Sequence, residues 1–326
     1  MQKQMKAIEY TQYGSPDVLH LKDMSIPIPQ SDEVLIRIHA TTATAADIMM
    51  RKGDPYIGRF YTGLKGPKRT ILGFEFAGEV VETGSAVTRF KVGDKVFGGT
   101  TTLGCYAEYA TVSENGVLTT MPDTISYAEA APVNGSAITV MNFLKGLGNI
   151  KPGQRVLING ASGGLGTYAI QIAKYYGAEV TGVSSTRNIE LVKSLGADHV
   201  IDYTREDFTK SGLQYDIIFD TVGGRSFGEC KNALTDNGIY MSAVMNPSLL
   251  FHMLWTKIFG LKKAKSSATG LLPVKERLSY FLELKEMLRT SKIKTVIDAS
   301  YPLAQIAAAH TYVETGHKRG SVVIAV

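Results

Sequence analysis

Hydrophobic and polar positions follow two different patterns along this chain. From the start to about residue 125, short runs of β-branched and aromatic residues are separated by glycine and proline, as at 33–40, 76–82, 94–98 and 106–110. Short strands with frequent turn signals are typical of a small β-barrel or sandwich. From about residue 126, apolar strand-like runs alternate with helical patterns, and this order predicts a doubly wound parallel sheet.

The second pattern predicts strands at 155–159, 179–184, 199–202, 216–221 and 238–244. A long helix is predicted from Pro273 to about Thr290, and strand-like runs follow at 296–298 and 321–326. A chain of 326 residues is long enough for two domains, each with its own core. We therefore expect an α/β protein in which residues 1–125 and 273–326 form one domain and residues 126–272 form the other.

The most informative segment is the glycine-rich turn after the strand 155–159. It reads Gly160-Ala161-Ser162-Gly163-Gly164-Leu165-Gly166 and passes directly into an alanine-rich amphipathic stretch. A strand–turn–helix of this kind presents free backbone N–H groups and a helix dipole to an anion, as a pyrophosphate requires. Gly163 would let the backbone approach the phosphates, and Gly166 would let the helix pack closely on the strand. We predict a dinucleotide site here; the alternative is a loop that only turns the chain.

Alanine stands where the usual G-x-G-x-x-G pattern has its first glycine. Ala161 is tolerable in that place if the residue does not need a positive φ.

The end of the second strand predicts which dinucleotide binds. An NAD site expects a carboxylate about 20 residues after the glycines, where it accepts hydrogen bonds from the ribose 2′-hydroxyl. Here the chain reads Ser184-Ser185-Thr186-Arg187-Asn188, and the next carboxylate, Glu190, should face solvent from the following helix. Hydroxyls and a guanidinium suit a 2′-phosphate. The pattern favours NADP(H), unless Arg187 is an ordinary surface arginine.

The composition argues against several other classes of function. The net charge of +5 is mild, and the lysine cluster at 257, 262, 263 and 265 is too narrow for a nucleic-acid footprint. Two cysteines, Cys105 and Cys230, fit a reducing compartment, and the N-terminal residues lack the apolar core of a signal peptide. We therefore expect a cytoplasmic protein that does not bind nucleic acid.

The apolar segment 249–261 is too short to cross a bilayer, which takes about 20 residues, so no transmembrane segment is expected. A lid or a subunit-contact helix is favoured for this segment. Association with a membrane surface is the alternative, given the lysines that follow.

Four motifs together resemble the medium-chain dehydrogenase/reductase superfamily, and specifically its zinc-independent quinone oxidoreductase branch. They are VGDKVF at 92–97 with YAEY at 106–109, KPGQRVLI at 151–158 leading into the glycine-rich turn, LGADHVIDY at 195–203, and GHKRGSVV at 316–323. The resemblance covers nearly the whole chain. It implies a GroES-like β-barrel domain and a Rossmann domain, with cofactor and substrate in the cleft between them, and it implies a homodimer joined near residues 266–272.

The resemblance also implies roles for individual residues. Ser162, Gly164 and Leu165 match the pyrophosphate loop, and Ser185 and Tyr203 match the residues around the 2′-phosphate; for Tyr203 the alternative is a half-buried aromatic at a strand end. Thr139 and Val244 would border the nicotinamide, by position only. His317, Lys318 and Arg319 match a C-terminal segment that reaches the cofactor, although they can also be read as a solvated turn.

Zinc-dependent relatives have ligands that this chain lacks. Thr44 stands where the first cysteine ligand belongs, and Phe74 stands where the histidine of Gly-His-Glu belongs. A phenylalanine cannot coordinate a metal, and two cysteines cannot build a four-cysteine site. Cys105 is read as a core thiol. We therefore expect no metal.

Hydride addition from NADPH to a quinone or an α,β-unsaturated carbonyl compound needs no Lewis acid, because the charge spreads over a conjugated system. Thr44 and Tyr56 are candidates for the substrate pocket, with Tyr61 as a weaker one, and no residue is identified as a catalytic acid. Two alternatives stay open. The chain could be an NADP-binding protein with a structural or sensing role, or a zinc-independent alcohol dehydrogenase.

Overall fold

The computed structural model describes residues 3–100 and 102–326, apart from the side chains of Ile57 and Tyr61. The chain divides into two compact units. Unit 1 comprises Met1–Gly135, Pro273–Arg289 and Thr295–Val326, and unit 2 comprises Ser136–Leu272 and Thr290–Lys294.

Residues 126–135 belong to unit 1, whereas the sequence pattern placed them in the second domain. Local contacts explain the difference. The carboxylate of Glu75 accepts the backbone N–H of Gly135, and the hydroxyl of Thr295 donates to the carbonyl of Glu129 at 2.6 Å. These bonds attach the segment to other residues of unit 1.

Unit 1 is built mainly from antiparallel strands. Its strands are β1 (Gln4–Glu9), β2 (His20–Ser25), β3 (Glu33–Ala43), β4 (Glu75–Thr83), β5 (Lys95–Gly99), β6 (Tyr109–Ser113), β7 (Val117–Thr120), β14 (Ile297–Pro302) and β15 (Ser321–Ala325). Seven of the described strands form one sheet in the order β14-β15-β3-β4-β5-β7, with β6 also paired to β3, while β1 and β2 form a separate pair. This confirms the predicted GroES-like β domain.

One predicted strand lies at a shifted position. The pattern placed it at 106–110, but β6 covers Tyr109–Ser113. The N–H of Tyr106 donates to Leu72 at 2.9 Å, and its carbonyl accepts the N–H of Ile8 at 2.8 Å. These bonds hold Tyr106 outside the β6 ladder.

The helices of unit 1 are α1 (Ala45–Lys52), α2 (Arg59–Thr62), α3 (Tyr127–Ala130), α9 (Val274–Arg289) and α10 (Ile306–Glu314). Alternate residues of β3, Val34, Ile36 and Ile38, point into a buried cluster that includes Phe76, because side chains of a strand alternate between its two faces. Helix α9 matches the predicted long helix, and Phe281 on it packs against Phe97 of β5 with ring centroids 4.5 Å apart.

Unit 2 contains a parallel sheet. Its strands are β8 (Arg155–Asn159), β9 (Glu179–Ser184), β10 (His199–Asp202), β11 (Tyr215–Asp220), β12 (Leu234–Ser242) and β13 (Lys263–Lys265). They pair in the order β10-β9-β8-β11-β12-β13. Val156, Leu157 and Ile158 of β8 are all buried, as expected for a central parallel strand covered on both faces. This is the predicted doubly wound sheet.

The order of strands locates a place for a ligand. The chain runs outward from β8 to β9 and β10, then returns to the other side of β8 for β11, β12 and β13. In open parallel sheets, ligands bind at the carboxyl ends of the strands where the order reverses, which here is between β8 and β11.

The helices of unit 2 are α4 (Ser136–Met141), α5 (Gly164–Tyr175), α6 (Ile189–Ser194), α7 (Phe227–Cys230) and α8 (Pro247–Ile258). Over the described ranges, none of the helices is both long enough and apolar enough to cross a membrane.

Candidate functional site

Polar residues end the strands at the carboxyl edge of the sheet in unit 2. Asp220, the last residue of β11, is fully buried and accepts a hydrogen bond at 3.0 Å from the side-chain amide of Asn159, the last residue of β8. The same carboxylate accepts backbone N–H groups of Val222, Gly223 and Arg225 at 3.0–3.1 Å. Sequence reasoning missed this role of Asp220, which fixes the loop after β11 beside the reversal point of the sheet.

The glycine-rich turn has the backbone geometry that its sequence predicts. Gly160 takes the positive φ of +82°, so Ala161 does not need that conformation and is accommodated in the turn. At Gly166, a Cβ atom would lie 2.1 Å from the carbonyl oxygen of Gly160 and 2.6 Å from the carbonyl carbon of Ala161. Only glycine allows this close approach of helix and turn.

Helix α5 starts without a side-chain cap. Gly163 is its N-cap residue with φ −80° and ψ 179°, and within the described part of the chain no side-chain capping hydrogen bond is present. A Cβ atom on Gly163 would meet nothing nearer than the Gly160 carbonyl oxygen at 3.5 Å. The first turn, which begins with Gly164 and Leu165, therefore offers backbone donors and the positive end of the helix dipole to an anion. These features fit a pyrophosphate.

A buried asparagine links the two predicted phosphate sites. The side-chain amide of Asn188 donates to the hydroxyl of Ser162 in the glycine-rich turn at 2.9 Å and to the hydroxyl of Ser185 after β9 at 3.4 Å. Its Oδ1 is buried and has no hydrogen-bond partner among the described residues. Asn188 precedes α6, but among the described residues its side chain makes no capping bond there. Only the fold shows that it joins the two segments.

The other residues predicted for the 2′-phosphate lie on the surface of unit 2. The exposed Arg187 belongs to the short helical turn that Ser185 begins. Tyr203 is 59% exposed, and its N–H donates to the carbonyl of Ser184 at 3.1 Å. Glu190 faces solvent, as predicted, with its side chain 87% exposed. Ser185 and Tyr203 therefore follow two paired strands, β9 and β10, at the same edge of the sheet.

A carboxylate that sequence reasoning missed lies at this edge. Asp202 ends β10 in register with Ser184, and it is buried. It accepts hydrogen bonds from the hydroxyl of Thr186 and from the N–H and hydroxyl of Thr204, the last two at 3.0 and 2.7 Å. The hydrogen bond from Thr186, followed by those from Thr204, lowers the pKa of Asp202 despite burial. This carboxylate therefore stays ionised.

The two residues predicted beside the nicotinamide also lie in unit 2. Thr139 is half-buried in α4, which packs against α5. Val244 follows β12 and is 44% exposed, and its N–H donates to the hydroxyl of Ser242 at 3.1 Å. Their contacts with a cofactor stay predictions.

The candidate substrate residues lie in unit 1. Thr44 is the N-cap residue of α1, and its hydroxyl donates to the carboxylate of Asp47 at 2.5 Å while it accepts the Asp47 N–H at 3.3 Å. Tyr56 is 64% exposed, and the guanidinium of Arg59 lies 4.8 Å from its ring centroid. The side chain of Tyr61 lies outside the described residues. Membership of Thr44 and Tyr56 in a substrate pocket stays a prediction.

Two buried carboxyl groups, those of Asp47 and Glu75, accept hydrogen bonds from Thr44 and from Thr42 of β3, respectively. Burial raises the pKa of Asp47 to about 6, with hydrogen bonds from Thr44 acting in the opposite direction. Burial also raises the pKa of Glu75 to about 7, opposed by the hydrogen bond from Thr42. For both groups the pKa is raised mainly because the protein interior disfavours the charged form. Glu75 therefore holds a proton in a large fraction of molecules at neutral pH.

The C-terminal basic residues make contacts within unit 1. The ammonium group of Lys318 donates to the carbonyl of Gly320 at 2.7 Å, and burial lowers the pKa of Lys318. The N–H of Arg319 donates to Asp298 at 2.8 Å, and its guanidinium lies 3.4 Å from the same carboxylate. The exposed His317 donates its backbone N–H to the hydroxyl of Thr315 at 3.3 Å. A role of these three residues toward a cofactor stays a prediction.

The residues present do not fit a zinc ion. Cys105 is fully buried in the cluster that includes Phe76, which agrees with the predicted core thiol, and burial raises its pKa well above the usual value. A thiol must ionise to bind zinc, so this environment opposes coordination. Across residues 3–100 and 102–326, no three side chains of His, Cys, Asp or Glu are grouped so that they could hold a metal ion.

Comparisons with known proteins agree with this fold. The family described as the alcohol dehydrogenase GroES-like domain matches residues 30–123, and the family described as zinc-binding dehydrogenase matches residues 195–324. A chloroplastic quinone-oxidoreductase homolog of Spinacia oleracea is 35% identical, over 99% of this chain and 98% of its own. The chloroplastic NADPH-dependent alkenal/one oxidoreductase of Arabidopsis thaliana is 31% identical, over 99% and 80% respectively. The solved quinone oxidoreductase of Coxiella burnetii superimposes with a TM-score of 0.88 and 30% identity, covering 99% of this chain and all of that one.

Proposed function

This chain belongs to the quinone oxidoreductase-like branch of the medium-chain dehydrogenase/reductase superfamily, and we propose that it is an oxidoreductase that transfers a hydride from NADPH to a quinone or an α,β-unsaturated carbonyl compound without a metal ion. The proposal draws its substrate classes from the relatives described above. The observation that carries it is the phosphate cradle in unit 2, where α5 begins at a glycine and, among the described residues, has no side-chain capping hydrogen bond.

The residues of unit 2 fit a phosphorylated dinucleotide. The glycine-rich turn from Gly160 to Gly166 would hold the pyrophosphate, since its backbone donors and the α5 dipole favour anions. Ser185, Arg187 and Tyr203 would surround the 2′-phosphate, with Arg187 supplying the positive charge. The Asn188 amide, which bonds both Ser162 and Ser185, would keep the two ends of this site in a fixed relation.

When bound, the nicotinamide supplies the hydride. The work of the chain is then to orient the two reactants and to keep bulk water away from them. A conjugated acceptor spreads the developing charge, so the reaction does not depend on a Lewis acid. The hydroxyl proton of Thr44 is donated to Asp47, and we therefore assign delivery of the final proton to water rather than to Thr44.

The matched family is described as zinc-binding dehydrogenase, but this description does not show that the present chain binds zinc. Phe74 stands where that chemistry needs an imidazole, and the Cys105 thiol is held in its neutral form by burial. We propose a reaction that uses no zinc, and no step in it involves a metal.

One observation favours some use of NADH in addition to NADPH. The ionised carboxylate of Asp202 lies in register with Ser184, next to the place proposed for the 2′-phosphate. It would repel that phosphate, although its oxygens are already occupied by the hydrogen bonds from Thr186 and Thr204. Some activity with NADH is therefore expected, at lower affinity than with NADPH.

The central experiment measures oxidation of NADPH against a panel of naphthoquinones, long-chain enals and cyclic enones, with NADH and simple alcohols as comparisons. Elemental analysis of the same preparation measures zinc. The proposal expects NADPH oxidation with at least one conjugated acceptor and less than stoichiometric zinc. Binding of NADPH without turnover across the panel would instead favour a structural or sensing role. Alcohol oxidation as the main activity would favour an alcohol dehydrogenase.

Assembly and location remain proposals as well. β13 lies at the edge of the described sheet in unit 2, next to residues 266–272, and we propose that a homodimer forms along this edge. Sedimentation at several protein concentrations tests it. The cytoplasmic location rests on sequence features alone, and the two curated relatives described above are chloroplast proteins.

A further inference from the structure

Helix α8 and the residues after it carry a row of large apolar side chains on the surface. We call this row the α8 patch, and its members are Phe251, Leu254, Trp255, Ile258, Phe259 and Leu261, each more than half exposed. Three of them form a continuous aromatic ladder. The ring centroids of Phe251 and Trp255 lie 6.2 Å apart, and those of Trp255 and Phe259 lie 4.9 Å apart.

The opposite side of α8 already has its packing partners. Leu249 is buried in the core cluster of unit 2, and Met253 packs against the same cluster. Thr256 is buried and accepts the N–H of Ala264 in β13 at 3.0 Å. The helix is therefore apolar on its outward side as well as on its packed side. A contiguous group of exposed apolar side chains commonly marks an interaction surface, so the outward face calls for a partner.

The charges around the patch indicate the chemistry of that partner. Between Asp236 and the end of this part of unit 2 at Leu272, the sequence contains no aspartate or glutamate, and its lysines are Lys257, Lys262, Lys263 and Lys265. The ammonium groups of Lys262, Lys263 and Lys265 donate to backbone carbonyls at 3.0, 2.5 and 2.7 Å. Among the residues that the structure describes, none of these four forms an ion pair with a carboxylate. Their positive charge is therefore not neutralised locally.

We propose that the α8 patch docks on an anionic lipid surface. A tryptophan between apolar residues, with lysines close by, suits the boundary between acyl chains and negatively charged headgroups. With 12 residues, α8 is about 18 Å long, so it would lie in the surface rather than cross the bilayer. A second copy of the chain is the other candidate occupant, and the concentration series in the test below distinguishes it from a lipid surface. The inference does not depend on the proposed enzyme activity.

The chain contains a reporter for this test. Trp255 is its only tryptophan, and it lies in the middle of the patch. The full-length protein is titrated with vesicles of mixed phosphatidylcholine and phosphatidylglycerol, with vesicles of phosphatidylcholine alone, and with buffer, while Trp255 emission and co-sedimentation are followed. We expect a blue shift and co-sedimentation with the mixed vesicles, a much weaker effect with the neutral vesicles, and a loss of binding as salt is raised.

Two matched pairs of variants separate the patch from general surface effects. Ile258 and Ile28 are 74% and 75% exposed, so Ile258→Ser is compared with Ile28→Ser. We expect Ile258→Ser to weaken vesicle binding about tenfold and Ile28→Ser to leave it unchanged. Lys257→Gln should weaken binding to anionic vesicles about fivefold, since each lysine near such a surface adds about that factor, whereas Lys210→Gln should not.

Three results would overturn the inference. The first is an unchanged emission spectrum with no co-sedimentation at any lipid concentration. The second is equal binding by Ile258→Ser and Ile28→Ser. The third is a blue shift that appears without lipid, either as protein concentration is raised, which would assign the patch to a second copy, or on addition of NADPH, which would assign it to a lid. None of these readouts uses turnover, so the inference and the proposed function fail separately.

Discussion

Gly163→Ala separates the ligand role of the glycine-rich turn from its structural role. The backbone of Gly163, with φ −80° and ψ 179°, is a conformation that alanine also adopts. The added methyl would meet protein only at 3.5 Å, from the Gly160 carbonyl oxygen. The free protein therefore has room for it. A pyrophosphate approaching the first turn of α5 does not, because the methyl would stand where the phosphate needs to reach the backbone.

The expected magnitudes differ for the two states. In the free protein, alanine is a poorer N-cap than glycine by roughly 0.5–1 kcal/mol, and it reduces the entropy of the unfolded chain by a similar amount, about 0.4–1 kcal/mol. These effects nearly cancel. In the complex, the loss of one hydrogen bond to a charged phosphate costs about 1.5–3 kcal/mol, which corresponds to about 10- to 150-fold weaker NADPH binding.

Gly166→Ala tests the structural role of the turn, in contrast to the ligand role tested at Gly163. Its methyl would lie 2.1 Å from the Gly160 carbonyl oxygen and 2.7 Å from the Ala161 Cα, so backbone atoms must move. We expect a loss of stability of about 1–3 kcal/mol, as for other overpacked sites. Gly228→Ala is the neutral control, since Gly228 is exposed in α7 and a methyl there would meet only the Ser226 hydroxyl at 3.9 Å.

The assay combines urea unfolding with NADPH titration by calorimetry for all three variants. The reasoning is refuted if Gly163→Ala binds NADPH as tightly as the parent chain. It is also refuted if Gly163→Ala loses as much stability as Gly166→Ala, because then the turn would be tightly packed at both positions and the cradle would not be open.

The remaining predictions concern single side chains. Arg187→Ala should weaken NADPH binding about 10-fold or more and change NADH binding little, since it removes a charge-assisted contact to the 2′-phosphate; calorimetry with both nucleotides measures this. Asn188→Leu should weaken NADPH binding and lower stability, because the Ser162 and Ser185 hydroxyls lose their shared donor, and equal affinity would exclude that role. Thr44→Val and Tyr56→Phe should each lower turnover less than tenfold, and an abolished rate would show that a specific acid had been missed. Glu75→Gln should flatten the decline of unfolding free energy from about pH 4.5 to 7, because the folded chain, with the Glu75 pKa raised to about 7, binds more protons there than the unfolded chain and loses stability as pH rises.

The sequence alone determined the larger part of the fold. The change from short strands to alternating strands and helices predicted both kinds of domain, and the predicted strands β8, β9 and β10 begin and end where the structure has them. The reason is that strands and helices each impose a characteristic local spacing on hydrophobic residues, and that spacing is visible in the sequence. Glycine marks turns wherever only glycine fits. The same local signals identified the cradle from Gly160 to Gly166.

The tertiary structure alone decided which distant residues act together. Asn188 joins Ser162 to Ser185 because β8 and β9 are neighbours in the sheet, and Asp202 reaches Thr186 because β10 pairs with β9. The raised pKa of Glu75 likewise follows from burial among β3, β4 and Gly135. Spacing along the chain carries no information about such contacts, since they depend on strand order and burial, which many segments determine jointly.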